Sequence, residues 1–267
     1  MPEWEHLMIR ALGSTETELT VLRRHQVSPT YVRIQVADGG LLTRWPPFPT
    51  MWLRLWFDDD GRTHQRAFTV VDPEPEEGRF WLEFALHEGV ASDWARTCVA
   101  GDAIGASLLG SAPPWELKKR SRRRAAPSST AAPSSTAAAP AMMLGAPWTG
   151  RTIIVGDPAS LPAVNSMLDR LGDEPAEVWL EHVDPRDHEL PVSGGPNHRV
   201  RWVHRDGNGP GIAQALTEHW EQDPLTERDR VWIAVEATAN RQLTSTLRTR
   251  YELPKNNVCA TAYWRHA

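Results

Sequence analysis

The segment Arg66-Ala67-Phe68-Thr69 combines side chains that together could hold a redox cofactor. In a strand, alternation places Arg66 and Phe68 on one face, with Thr69 as the next hydroxyl and backbone donor. A guanidinium pairs with a pyrophosphate, an aromatic ring stacks on an isoalloxazine, and a small polar residue bonds near its reactive nitrogen. The segment therefore indicates a flavin-dinucleotide site, although a plain strand with a core Phe and an Arg that reaches solvent would contain the same residues.

A second candidate segment, His87-Glu88-Gly89-Val90-Ala91-Ser92, places a glycine and small residues where a strand turns into a helix. Free backbone donors at such a helix N-terminus suit a phosphate. The alternative is that Ser92 is simply an N-cap.

Two segments of the second half lie where an α/β sheet binds ligands. Gly156-Asp157 follows a continuous apolar strand and precedes a predicted helix. The segment lacks the G-x-G-x-x-G pattern, so a nicotinamide nucleotide would be held differently from the dehydrogenase pattern. Tyr263-Trp264-Arg265 ends the predicted last strand, where its rings could reach a flavin, and a plain core strand would look much the same.

The first half of the chain predicts a six-stranded antiparallel β-barrel that binds the flavin, with one helix. Short runs of β-branched and aromatic residues are separated there by turn residues. The predicted strands are Glu18–Val27, Tyr31–Ala37, Met51–Phe57, the run Arg66–Val71, Phe80–His87 and Ala103–Leu109, and the helix is Ser92–Cys98.

The second half predicts a parallel α/β nucleotide-binding domain, because strands alternate with helices. The predicted strands are Thr152–Val155, Ala176–His182, Val200–Val203, Val231–Val235 and Val258–Trp264. The predicted helices are Leu161–Leu171, 211–220 and Asn240–Tyr251.

Between the halves, residues 112–148 contain a basic run at 118–124 and an Ala/Pro/Ser/Thr tract at 125–141. Such a tract buries too little apolar surface to offset its ordering entropy, so we expect a disordered linker or insertion. The basic run reads as a solvated flank, with docking of a partner or an anionic surface as the alternative. The predicted domains are therefore 1–111, 112–148 and 149–267.

Composition narrows the function classes. The 267 residues carry a formal net charge of -5, which argues against a nucleic-acid or membrane partner and favours small molecules. Two distant cysteines argue against a disulfide framework and against a structural zinc site. We expect a cytoplasmic protein, because no stretch resembles a signal peptide or a membrane span. We also expect a monomer. Most of the thirteen tryptophans are expected in the core.

Seven motifs, taken in order, resemble the siderophore-interacting protein family, which comprises FAD-dependent ferric-siderophore reductases on the ferredoxin-reductase-like plan. The resemblance covers nearly the whole chain except about residues 112–148. The motifs are Arg66-Ala67-Phe68-Thr69, His87 to Ala95, Gly101-Asp102, Gly156 to Ala163, Trp202-Val203-His204-Arg205, Trp232 to Ala237 and Tyr263-Trp264-Arg265.

The resemblance implies FAD and NADPH or NADH as cofactors, with a ferric siderophore as substrate and ferredoxin as another possible donor. Electrons would pass through the flavin to Fe(III), so no catalytic side chain and no resident metal are expected. The implied FAD-site residues are Arg66, Ala67, Phe68, Thr69, His87, Gly89, Ala91, Ser92, Tyr263 and Trp264. The implied nicotinamide-side residues are Asp157, Glu236 and Ala237. The candidate cations for the siderophore are Arg241, Arg248 and Arg265, with Arg33 and Arg54 as further candidates.

The chain departs from the family pattern at three positions: Phe68 replaces a frequent Tyr, Val71 replaces an Arg, and Val235 replaces a Gly. Val cannot take the positive φ that Gly allows, which bears on nicotinamide binding. Two alternatives therefore stay open. One is a non-catalytic flavin- or siderophore-binding protein, and the other is a general flavin reductase or ferredoxin-linked electron-transfer protein.

Overall fold

The structure, a computed structural model, describes residues 16–108, 149–205 and 211–265. The chain divides into two compact units, with the described residues up to 108 in the first and those from 149 in the second. The predicted linker at 112–148, with its basic run, lies outside the described residues.

The first unit is built on an antiparallel sheet of seven strands in the order β4-β3-β7-β1-β2-β6-β5. Its strands are β1 (Glu16–Ser28), β2 (Tyr31–Ala37), β3 (Trp52–Asp59), β4 (Arg62–Thr69), β5 (Val71–Glu74), β6 (Arg79–Ala85) and β7 (Ala103–Ser107). Its helices are α1 (Leu41–Arg44) and α2 (Val90–Thr97), with a 3-10 turn at Pro75–Glu77.

The prediction of six strands is corrected to seven among the described residues. The single run expected at Arg66–Val71 is two strands, because β4 pairs with β3 and β5 pairs with β6. Only Val70 separates them, and its N–H donates to the Met51 carbonyl over 2.8 Å. Strands one residue apart in the chain thus stand at opposite ends of the strand order, so the sheet must curl. A closed six-stranded barrel is not confirmed.

Alternating side chains of the first sheet form its core. Phe80, Leu82 and Phe84 of β6 are buried, as the period of a strand with one covered face requires. The buried cluster also includes Leu53 and Leu55 of β3. Packing in this core fixes the positions of the residues on the edge strands.

The expected burial of the strand tryptophans is only partly correct. Trp179 and Trp232 are buried. Trp52, Trp56, Trp81 and Trp202 are partly exposed. The guanidinium carbons of Arg23 and Arg33 lie 4.8 and 4.9 Å from the Trp81 ring centroid. On a solvated sheet face, an indole thus serves as a platform for cations.

The second unit is a parallel sheet of five strands, as predicted, and the strand order is β10-β9-β8-β11-β12. Its strands are β8 (Thr152–Gly156), β9 (Ala176–His182), β10 (His198–His204), β11 (Arg230–Glu236) and β12 (Val258–Trp264). Its helices are α3 (Leu161–Leu171), α4 (Ile212–Gln222) and α5 (Ala237–Thr249), with 3-10 turns at Pro185–Glu189 and Lys255–Asn257.

The strand order places a topological switch point between β8 and β11. The chain runs outward from β8 through β9 to β10, and then returns to pair β11 with the other side of β8. Ligands of open α/β sheets bind beyond the carboxyl ends of the strands at such a point. Asp157 follows β8 and Glu236 ends β11, so both predicted residues lie there. Within the described residues, no helix is both long and apolar enough to span a bilayer.

Candidate functional site

The end of β4 presents the Arg66 segment as an edge strand. Arg66 is paired with Leu55 and Phe68 with Leu53, so the two side chains share a face, as predicted. Arg66 is exposed, and its Nη1 donates to the Gln65 carbonyl over 2.9 Å. The guanidinium therefore stays at the surface, available to an anion.

Phe68 is half-buried in an aromatic cluster that also contains Phe57, Phe84 and Trp94. Its ring centroid lies 4.3 Å from that of Phe84 and 6.1 Å from that of Phe57. The Trp94 ring of α2 lies 5.8 Å from the Phe57 ring and 5.7 Å from the Phe84 ring, measured between centroids. This packing from β3, β6 and α2 fixes the ring while part of it remains exposed.

The two residues beside Phe68 on β4 differ in solvent exposure. Ala67 is exposed, whereas Thr69 is only 7% exposed at the end of the strand. A ligand lying along β4 would thus meet Ala67 and Arg66 first.

The turn from β6 into α2 is held by its own side chains. The His87 N–H donates to Ser92 Oγ over 3.1 Å, and Arg96 Nη2 donates to the His87 carbonyl over 3.0 Å. His87 is exposed and its Nδ1 lies 2.6 Å from the Glu88 carbonyl, while Ser92 is buried. The Ser92 hydroxyl therefore braces the turn and does not cap the helix.

Gly89 is the N-cap residue of α2, and no side chain caps this helix. Its φ of 127° lies in the region that side chains with a Cβ rarely adopt. A Cβ added there would meet no atom within 4 Å. Ala91 of the first turn is half-buried. The backbone at this helix end is thus open to a close ligand, and the macrodipole favours an anionic one.

These features fit a flavin dinucleotide within the first unit. An exposed guanidinium and an uncapped helix N-terminus can neutralise a pyrophosphate. A half-exposed ring held by aromatic neighbours can pack on a planar heterocycle.

In the second unit, Asp157 lies at the carboxyl end of β8 with 3% of its surface exposed. Its Oδ1 accepts from the Ser160 N–H over 3.0 Å, and its Oδ2 accepts from Trp264 Nε1 over 2.7 Å. Burial raises the pKa of Asp157 to about 6, although these hydrogen bonds oppose the shift. The carboxyl group thus joins β8, α3 and β12.

Glu236 ends β11 and caps α5. Its carboxylate accepts from the N–H groups of Thr238 and Ala239, the second over 3.3 Å. Ala237 begins the helix, and both Glu236 and Ala237 are 4% exposed. The predicted nicotinamide-side residues therefore form the frame of this sheet edge, and their part in ligand binding stays a prediction.

Of the aromatic pair on β12, Trp264 is half-buried and Tyr263 is 36% exposed. The Tyr263 ring meets the Trp232 ring edge-on, with centroids 6.4 Å apart. Tyr263 therefore covers a core tryptophan, and its contact with a flavin stays a prediction.

The candidate cations fall into two groups. Arg33 pairs with Asp72 over 2.6 Å and with Glu83 over 2.9 Å, and the Arg54 guanidinium lies 5.7 Å from the Trp52 ring centroid. Both arginines are therefore engaged in contacts within the first unit. The other three candidates, Arg241, Arg248 and Arg265, are exposed residues of the second unit.

An ion pair beside Trp264, not predicted from the sequence, joins buried Glu181 to half-buried Arg205. Glu181 Oε2 and Arg205 Nη1 are 3.4 Å apart, and the Arg205 guanidinium carbon lies 5.6 Å from the Trp264 ring centroid. Glu181 Oε1 also accepts from the N–H of Ile212, which begins α4. A Cβ at Gly211 would lie 2.4 Å from this oxygen, so a larger residue there would displace the Glu181 carboxylate. Ligands of open α/β sheets bind beyond the carboxyl ends of the strands, and Glu181 and Arg205 lie at the ends of β9 and β10. Their positions in the sequence could therefore have identified them.

Comparison with known proteins places both units in one family. Residues 149–267 match the family model described as "Siderophore-interacting protein", and residues 31–109 match "Siderophore-interacting FAD-binding domain". The Mycobactin import ATP-binding/permease protein IrtA of Mycolicibacterium thermoresistibile is 31% identical over 98% of this chain and 26% of its own length. The protein of that name from Mycobacterium tuberculosis is 30% identical over 97% of this chain and 27% of its own length. The chain thus spans about a quarter of these relatives.

Solved structures confirm the ferredoxin-reductase-like fold. The siderophore-interacting protein SipS from Aeromonas hydrophila is 22% identical, with a TM-score of 0.71 over 94% of this chain and 92% of that chain. A ferredoxin NADP+ reductase from Neisseria gonorrhoeae with bound FAD and NADP is 14% identical, with a TM-score of 0.62 over 93% of this chain and 97% of that chain. At these identities the likeness shows the fold alone.

Proposed function

Because this chain belongs to the siderophore-interacting protein family, we propose that it is an FAD-dependent reductase of ferric siderophores. The observation that carries the proposal is the pairing of exposed Arg66 and half-exposed Phe68 with the uncapped helix at Gly89 in one unit. That unit contains the match to the siderophore-interacting FAD-binding domain.

The candidate site residues of the first unit have separate roles in this proposal. Arg66 holds the pyrophosphate by charge-assisted hydrogen bonds, together with the backbone donors of the turn at Gly89. Phe68 packs on the ring system, and Thr69 offers a hydroxyl beside it. His87 and Ser92 keep the turn in its conformation through the bond between them.

Bound FAD would supply single-electron transfer to Fe(III), with NADPH or NADH as the source of hydride. Exposed Arg241, Arg248 and Arg265 attract an anionic ferric complex to the second unit. Hard oxygen donors hold Fe(II) more weakly than Fe(III), so reduction releases the metal. Ferredoxin as the donor, and the monomeric state, stay predictions.

The names of the relatives support one substrate class for this proposal. The two import proteins are named for mycobactin, and each aligns with nearly the whole chain. We therefore include a ferric mycobactin-type siderophore among the proposed substrates.

A second candidate is a protein that binds flavin and siderophore without nicotinamide turnover. Val235 occupies the place of the family glycine and is 0% exposed, while Glu236 is engaged in capping α5. This frame leaves less room for close approach of a dinucleotide to the end of β11.

The test is a visible spectrum of the purified full chain, followed by anaerobic reduction with dithionite and addition of a ferric siderophore. We expect flavin absorbance that bleaches and then recovers as Fe(II) appears in a ferrous-chelator assay. A preparation that cannot be reconstituted with FAD would refute both candidates. Recovery after dithionite, but no oxidation of NADPH or NADH, would favour another donor such as ferredoxin.

A further inference from the structure

A group of three imidazoles lies at the carboxyl edge of the second sheet, apart from Asp157 and Glu236. His182 ends β9, His204 ends β10, and His188 lies on the 3-10 turn after β9. The His182 ring centroid lies 4.2 Å from that of His188 and 5.0 Å from that of His204. Strand pairing sets His182 beside His204.

The rings of His182 and His188 are within hydrogen-bonding distance of each other. Nε2 of His182 and Nε2 of His188 are 2.8 Å apart. Nδ1 of His182 is 3.1 Å from the Asp184 carbonyl, which can only accept, so Nδ1 carries the proton. The Nε2 lone pair of His182 therefore points at His188. A metal-binding histidine usually has its second nitrogen fixed in this way by a carbonyl or carboxylate.

We propose that His182 and His188 bind a divalent first-row transition metal ion. Two nitrogens bound at about 2.1 Å and at right angles around one ion lie about 3.0 Å apart, close to the observed separation. Imidazole suits such ions. Moving the His188 proton from Nε2 to Nδ1 exposes both lone pairs without a net change of charge.

The surroundings support this assignment. Trp202 stacks on His188 at 5.4 Å with an interplanar angle of 25°, which orients the ring. Asp187 lies on the same 3-10 turn as His188, and the Asp184 carboxylate before the turn pairs with Arg186. His182 is buried, whereas His188 and His204 are exposed, so an ion can reach the group from solvent.

The identity of the ion rests on the proposed function. Reduction of a ferric siderophore yields Fe(II), which oxygen donors hold weakly and nitrogen donors accept. The imidazoles would thus receive the product of the reaction. Metal binding itself does not depend on that reaction.

The test is titration of the untagged full chain with Co2+, followed by its visible absorption, and with Zn2+ in competition. We expect one site, with affinity reduced at least about tenfold in H188A. His188 is exposed, so this variant should fold. Equal affinity of wild type and H188A would overturn the proposal.

Two control variants locate the ion. His25→Ala removes an exposed histidine of β1 and should leave affinity unchanged. His219→Gln tests a competing group, because ligand atoms of Glu177, His219 and Asp223 lie within 4.8 Å of one another. Loss of binding in H219Q, with retention in H188A, would place the ion there and refute the proposal.

The experiments distinguish failure of the proposed metal site from failure of the proposed reductase function. If H188A binds no Co2+ yet reoxidises with a ferric siderophore at the wild-type rate, the metal site stands and is not needed for electron transfer. If the wild type binds Co2+ at this site but reduces no ferric siderophore, the site stands and the reductase function fails. If it reduces the siderophore but binds no Co2+, the metal site fails alone.

Discussion

The indole nitrogen of Trp264 donates a 2.7 Å hydrogen bond to the buried carboxyl group of Asp157, 107 residues earlier in the chain. The bond links the end of β12 to the end of β8 across the intervening strand β11. Two residues predicted separately for cofactor binding are therefore one structural unit. Their first role is to hold the carboxyl edge of the sheet together.

Replacing Trp264 with Phe should lower the free energy of unfolding by about 1–3 kcal/mol, because a buried acceptor loses its donor. The same change should raise the pKa of Asp157 further, since the bond from Trp264 opposes the effect of burial. Urea unfolding measures the first effect. The exposed Trp45, changed to Phe, is the control and should have little effect. Equal loss in both variants would contradict the role of the bond.

The stability of the protein should depend on pH through Asp157. Its folded pKa of about 6 exceeds the ordinary aspartate pKa of 3.8, so protonation of Asp157 favours the folded state. This contribution is complete below about pH 4 and is lost as pH rises to about 6, amounting to about 3 kcal/mol.

The measurement is the free energy of unfolding of wild type minus that of Asp157→Asn, at several pH values. The difference should fall by about 3 kcal/mol between pH 3 and pH 7, because the amide does not titrate. A difference that stays constant over this range would show that Asp157 titrates normally.

Arg66→Gln should weaken FAD binding by at least about tenfold, because a charge-assisted contact to the pyrophosphate is lost. The matched control is Arg62→Gln on the same strand, an exposed arginine paired in register with Asp59. Titration of the apoprotein with FAD, followed by flavin fluorescence, gives both affinities. If both variants bind alike, the segment lacks the proposed function.

Gly89→Ala should destabilise the protein by about 1–3 kcal/mol and weaken FAD binding, because φ of 127° strains any residue with a Cβ. Steric overlap is not the reason, since no atom lies within 4 Å of the added carbon. The control is Gly105→Ala in β7, where the added carbon makes an ordinary 3.7 Å contact with Trp56. Thermal unfolding compares the two variants, and the prediction fails if G105A is the more damaging.

Much of the fold could be predicted from local patterns. Alternation in runs such as Phe80–Leu86 predicts an antiparallel strand with one covered face, and a continuous apolar run such as Thr152–Val155 predicts a buried parallel strand. The crossing from β4 to β5 could not be predicted from the sequence, because Arg66–Val71 contains no turn residue. That break arises where the curled sheet passes the chain from one edge to the other at Val70.

For the site, the sequence by itself determined which chemical groups are present and that strand ends would carry many of them. It placed Arg66 and Phe68 on one face, because the period of a strand is local. Only the tertiary structure decided that Asp157 meets Trp264 and that three imidazoles gather at the ends of β9 and β10. Those contacts depend on strand order and register, which are set by packing between segments far apart in the chain.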